Sequence, residues 1–159
     1  MKRRAELRLA DLAATHALGR RLAGVLQGGD VLALRGALGS GKTELARALI
    51  RARAGAALEV PSPSFTLVQD YALADLVIRH IDLYRVQDPA ELVELDLAAP
   101  GADEAWLIEW PERAGDALPE DRLELLLDQG PEPDARVVRL RAGPAWAERL
   151  PALLEPPDG

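Results

Sequence analysis

VLALRGALGSGKTELARALIRARAG, residues 31–55, is the stretch on which the fold turns. Its first four residues are wholly apolar, as in a short strand buried on both faces of a parallel sheet. Residues 36–43 then match G-x-x-x-x-G-K-[ST] at every defined place. With Gly near ~7% of an average protein, a chance match in a chain of this length is on the order of one in 200. From Lys42 onward apolar residues recur at helical spacing until Gly55 ends the run. A buried strand, a glycine turn and a helix in this order make a phosphate cradle. The glycines let backbone N–H groups turn inward, and the helix N-terminus adds its positive end. The candidate contacts are Gly36, Leu38, Gly39, Ser40, Gly41, Lys42 and Thr43. Lys42 offers a compact ammonium to the β- and γ-phosphates, and Thr43 offers a hydroxyl to Mg2+.

The composition points to the same loop. The chain holds 17 Arg but only two Lys, Lys2 and Lys42, and no Asn. Where Arg is accepted almost everywhere, the one interior Lys marks a place that a planar guanidinium cannot fill. Five of the six Ser and Thr residues (Ser40, Thr43, Ser62, Ser64 and Thr66) fall within 27 consecutive positions. With no Asn, and no Lys after position 42, the chain cannot carry the N-K-x-D element by which GTPases read guanine. ATP is favoured by elimination. The absence of Cys excludes disulfides and thiol catalysis, and two His argue against a His-built zinc site. A net charge of −7 argues against a broad phosphate-binding surface, so any contact with nucleic acid is expected to be indirect. No run approaches the ~20 apolar residues of a membrane span, and no signal peptide is visible. The cytoplasm is the expected compartment.

Around the loop, residues 9–27 read as an amphipathic helix stopped by GGD, and residues 65–82 as a hairpin turning near Ala74 and Asp75. DPAELVELDL carries an Asp cap and a Pro at the first helical position, the start of a short helix. EAWLIEW, RLELLLD and ARVVRLRA read as further strands, and PAWAERLPALL as a terminal helix. The expected fold class is α/β: a single three-layer P-loop NTPase domain over residues 1–159, with a mostly parallel central sheet, an antiparallel excursion and a frayed tail at 153–159.

Magnesium calls for acids at the carboxyl ends of strands beside the loop. LVIRHID ends in Asp82 and AWLIE in Glu109, and each could hold the ion directly or through water, or orient the attacking water. Ser64 and Thr66, in SPSFT, stand where a switch segment can feel the γ-phosphate, and Ser62 could cap the turn. Trp106 lies three positions before Glu109, so in a strand it faces the opposite side and belongs to the core. Trp110 follows the acid at the sheet edge, where its ring could wall the cleft or meet a partner.

GALGSGKTELARAL, PSPSFTLVQDY, HIDLYRVQDPAELVELDL and LIEWPERAGDALPEDRLEL, in this order, resemble the TsaE family, formerly YjeE. The resemblance runs through most of positions 31–127. It implies a small P-loop ATPase needed for threonylcarbamoyl-adenosine formation on tRNA, with TsaB and TsaD as partners, TsaD carrying out the transfer, and tRNA engaged only indirectly. It implies that Lys42 and Thr43 bind phosphate and metal, that Asp82 and Glu109 serve Mg2+ and hydrolysis, and that Trp110 matters beside them. Leu12 and Arg136 approach the nucleotide by the same analogy. Ser64 stands where the family usually has Thr, and Ala37 where it usually has Asp or Glu, so a catalytic role at position 37 does not carry over. A weak intrinsic rate is expected, because no Arg outside the P-loop helix is obviously placed as an in-cis finger. Two other readings stand beside this one: a small-molecule P-loop kinase, for which residues 111–122 make a poor lid, and an adaptor that binds ATP without useful turnover.

Overall fold

The computed structural model of the chain describes residues 3–154. Seven strands, β1 (Arg3–Leu9), β2 (Val31–Arg35), β3 (Val68–Ala72), β4 (Val77–Asp82), β5 (Glu104–Glu109), β6 (Leu123–Gln129) and β7 (Arg136–Ala142), form one sheet. Their order is β1-β7-β6-β2-β5-β4-β3. The four central strands β6, β2, β5 and β4 run parallel, and β3, β7 and β1 add antiparallel margins. The β3–β4 hairpin is the expected excursion, shortened at its start. Phe65, Thr66 and Leu67 lie in a turn, because the Leu67 amide bonds back to the Pro63 carbonyl at 2.8 Å and Leu67 takes φ 67°.

β2 is buried along four of its five residues, and its alternation divides the core in two. Leu32 and Leu34 face helices α1 (Leu12–Val25) and α2 (Lys42–Ala54), with the short helices α3 (Pro144–Ala147) and α4 (Leu150–Leu154) closing that side. Val31 faces the other layer, where Leu83, Val86, Leu92 and Ala114 come from 3-10 helices and the segments joining them. The DPAELVELDL helix is of this 3-10 kind, Pro89–Leu95, and Asp88 and Glu91 form a capping box at its start. The α1 and α2 backbones approach closely at Gly19, where a Cβ would lie 2.6 Å from that of Ala48.

The structure departs from the sequence reading at both ends. Residues 3–9 form a strand, and Leu9, assigned from the sequence to α1, is its last residue and points into the core. Asp11 breaks the two apart: its carboxylate accepts the Ala14 amide at 2.9 Å as the N-cap of α1. At the other end Leu153 and Leu154 belong to α4, and Leu153 is fully buried, so they are no tail. The rest of that expected tail, residues 155–159, lies outside the described residues. Among the described residues no helix is long and apolar enough to cross a membrane.

Candidate functional site

β2 delivers the chain at the centre of the sheet to a turn that only glycine can make. Gly36, Gly39 and Gly41 have φ of 147°, 77° and 102°, in or near conformations closed to L side chains. At Gly36 a Cβ would also meet Ser40 Oγ at 2.5 Å and the Leu127 carbonyl at 2.6 Å. The turn ends at the N-terminus of α2, which has no side-chain cap, unlike α1. Its first-turn amides therefore remain available to an acceptor. Ser40 Oγ is buried and has no hydrogen-bond partner among the described residues.

Lys42 opens α2 and is only 5% exposed. Its Nζ donates to the Gly36 carbonyl and, at 3.1 Å, to that of Ala37, and lies 4.0 Å from the centre of the Trp110 ring. Burial pulls its pKa below the ordinary value, while Glu109, Glu112 and Asp82 pull it up. At the next residue, Thr43 Oγ1 donates to Glu109 Oε1 at 2.7 Å. Glu109 ends β5 and Asp82 ends β4, and the two are register partners across the parallel pair. Both are buried. Asp82 Oδ1 accepts the Tyr84 amide at 3.0 Å, and Oδ2 accepts from Ser62 at 3.1 Å and from Ser64 at 3.3 Å. The SPSFT loop thus meets a strand-end acid through two hydroxyls.

Trp106 is buried on the far side of β5, as its alternation with Glu109 requires. Trp110 takes φ 59°, a left-handed conformation that turns its ring over Lys42 and against Tyr84, with ring centres 5.0 Å apart. A non-glycine residue held there costs on the order of 1 kcal/mol or more, a strain that collects at functional sites. Together these residues line a cleft of about 280 Å³ that includes residues 38–44, Ser62, Ser64, Asp82, Tyr84, Glu109 and Trp110. A larger groove of about 590 Å³ lies among Arg4, Arg35, Arg139 and Arg141, but strand residues alone line it. The smaller cleft, by contrast, is lined by the glycine turn and the start of α2.

Not every candidate reaches this cleft. Arg136 meets the loop from outside, its Nε donating to the Ser40 carbonyl at 2.6 Å and its Nη2 to that of Gly39 at 3.3 Å. Thr66 is exposed and makes no side-chain hydrogen bond among the described residues, and Leu12, 44% exposed, does not line the cleft. His80 was not singled out in the sequence, yet its Nε2 lies 2.6 Å from Glu109 Oε2. The available signal was its spacing, since residues two apart on a strand share a face and His80 precedes Asp82 by two.

With this arrangement in place, comparison with known proteins is specific. Residues 9–138 match the model of the family described as threonylcarbamoyl adenosine biosynthesis protein TsaE. The chain belongs to the TsaE family. Among its relatives, TsaE of Streptomyces coelicolor is 38% identical over 125 residues, 77% of this chain and 84% of that protein. TsaE of Rickettsia felis is 38% identical over 98 residues, 62% of this chain and 57% of that protein, so the match spans little more than half of that relative's length. The crystal structure of Bacillus subtilis YdiB superposes with a TM-score of 0.76 at 26% identity, covering 96% of this chain and 95% of that one. Proteins of the TsaE family take part in forming threonylcarbamoyl-adenosine on tRNA.

Proposed function

We propose that this chain is a Mg-ATP hydrolase whose turnover drives a step of threonylcarbamoyl-adenosine formation on tRNA, in an assembly with TsaB and TsaD. The observation that carries the reading is the 2.7 Å contact between Thr43 Oγ1 and Glu109 Oε1 at the uncapped start of α2. It joins the P-loop hydroxyl to a strand-end carboxylate, with Asp82 on the neighbouring strand.

The residues suit the ligand. The three loop glycines, the unpartnered Ser40 hydroxyl and the α2 amides offer donors to phosphate oxygens. Lys42 turns from the loop carbonyls to the phosphates, and Trp110 and Tyr84 wall that charge from water, which strengthens it. Thr43, Glu109 and Asp82 are the oxygen ligands available to Mg2+, directly or through water, a donor set that fits a hard cation. When bound, Mg2+ neutralises charge that builds on the phosphoryl oxygens. Ser62 and Ser64 donate to Asp82 and tie their loop to that acid, which supports a loop that responds to the γ-phosphate. ATP is favoured over GTP because the chain has no Asn, and no Lys after position 42, from which to build the N-K-x-D element. A kinase is disfavoured, since residues 111–122, where a lid would be expected, begin with a short 3-10 helix, Pro111–Ala114, whose Pro111 and Ala114 are buried.

Phosphate release from Mg-ATP by the purified chain, alone and with TsaB and TsaD, tests the reading, with GTP and Lys42→Ala as controls. The expected result is a slow rate, raised by the pair and absent in Lys42→Ala. Glu109→Gln should lower kcat roughly 100-fold while ATP still binds, on the scale of losing one transition-state contact. Full tRNA modification with Glu109→Gln would leave the adaptor reading instead.

A further inference from the structure

The role given to Glu109 uses one of its two oxygens. Oε1 accepts from Thr43, and Oε2 lies 2.6 Å from His80 Nε2. The pair is shut away from solvent, His80 at 0% and Glu109 at 2% side-chain exposure. His80 stands on β4 opposite Leu107, and Asp82 opposite Glu109, so β-strand alternation puts all three polar side chains on the face covered by α2. The layer around them is apolar: Ile78, Leu107, Leu32 and Leu45 are all fully buried there. Packing alone would be served by another aliphatic residue. The other ring nitrogen, Nδ1, has no partner among the described residues. The cost of burying this imidazole is therefore offset by one hydrogen bond, the bond to Glu109.

An ionised carboxylate only accepts, so Nε2 carries the hydrogen in this contact. A glutamate head at the end of a strand has three torsions with which to turn aside, and Lys42 stands close enough to attract it. Thr43 and His80 hold opposite oxygens and between them fix the plane of the carboxylate. We propose that His80 is a positioning residue: by donating Nε2–H to Oε2 it keeps Oε1 of Glu109 turned toward the Thr43 hydroxyl, where the metal is required. This rests on the Mg-ATPase reading above.

The test uses the full chain with His80→Leu, His80→Gln, Glu109→Gln and the Leu/Gln double variant. A Gln amide nitrogen reaches about as far as Nε2 and donates, whereas Leu fills the space and donates nothing. His80→Leu should lower kcat for Mg-ATP by about 10- to 100-fold, the range for losing the support of a metal-side ligand. It should raise by a similar factor the Mg2+ needed for half-maximal binding of a non-hydrolysable ATP analogue. His80→Gln should recover most of both, and His80→Leu should add no further loss in the Glu109→Gln background. Nitrogen-15 NMR of the imidazoles needs no nucleotide. The chain has two His, so His16→Ala assigns them, and His80 should show the Nε2–H form, altered in Glu109→Gln. An Nδ1–H form, a Gln variant as impaired as Leu, or an undiminished effect of His80→Leu in the Glu109→Gln background would each overturn the proposal. Should His80→Leu fail to fold, the Gln variant and the NMR comparison carry the decision. A wild-type chain that binds no Mg-ATP would sink the ATPase reading, and the NMR arm would still decide whether His80 donates to Glu109.

Discussion

At Lys42 the proposed function and stability oppose one another. Its burial depresses the pKa below the ordinary 10.5 although Glu109, Glu112 and Asp82 stand near, so the fold bears a net desolvation cost for this cation. Lys42→Met keeps the length and removes the charge. It should weaken nucleotide binding by roughly 30-fold or more, the scale of a charge-assisted bond, while raising Tm by about 2 °C. Calorimetry with and without Mg-ATP checks both halves, and a lower Tm would contradict the argument. Glu44 shows the opposite sign. Hydrogen bonding from His16 at 2.7 Å, with the charge of Arg47 beside it, holds its carboxyl below the ordinary 4.5. A depressed acid stabilises the fold above its unfolded pKa and loses that contribution as pH falls through the folded value. Glu44→Gln should therefore melt about 1–2 °C lower than the parent at pH 6, and the gap should close as pH falls below about 4. A gap that persists at pH 3 would exclude the pair as its source.

The elements differ in how much their own residues specify them. α2 carries its instructions locally: glycines at both ends, apolar residues on one face, and φ of 102° and 67° at Gly41 and Gly55. β5 is similar, a short apolar run that a proline closes. α1 depends on one side chain. Asp11 caps it and also separates it from β1, so Asp11→Ala should cost about 1 kcal/mol, lowering Tm by roughly 2–4 °C. Thermal melting followed by circular dichroism measures this, and an unchanged Tm would mean the Ala14 amide finds another partner. β1 was missed from the sequence for a physical reason. Arg, Ala, Glu and Leu favour a helix by propensity, yet Ala5, Leu7 and Leu9 alternate inward because β7 offers them a ladder from Arg136 to Ala142.

At the scale of the whole molecule, the Arg149–Asp30 ion pair ties the C-terminal segment to the residue that leads into β2. Asp30, at the entry to β2, takes both guanidinium nitrogens of Arg149 at 2.7 and 2.8 Å and also accepts the Gln27 amide. Arg149 in turn stacks 4.0 Å from the Trp146 ring, and Trp146, Leu150 and Leu153 fill the core beneath α1. Asp30→Ala would leave Arg149 without its carboxylate in a nearly buried place, at a cost of about 3 kcal/mol. The expected drop in Tm is roughly 5–10 °C, with Mg-ATP affinity unchanged well below the transition, since the cleft lies at the other end of β2. Differential scanning calorimetry and a nucleotide titration on the same sample decide it, and a loss of affinity without a loss of Tm would refute the assignment.

By itself the sequence determined the strand, loop and helix of residues 31–55, the hairpin, the order of the two strand-end acids and membership in the TsaE family. Each of these is written in neighbouring residues, as a periodicity, a cap or a motif of fixed spacing. Tertiary structure alone decided which polar groups meet. Thr43 and Glu109 are 66 positions apart, His80 and Glu109 29 apart, and Ser62 and Asp82 20 apart. Parallel pairing of β4 with β5 and of β5 with β2 sets their rows in register, and only that register brings a hydroxyl, an imidazole and two carboxylates to one end of the sheet. It also left Thr66 and Leu12 outside the cleft. Local spacing says which face of a strand a side chain occupies; its distance from a partner depends on which strands lie side by side, a matter of burying the whole core at once.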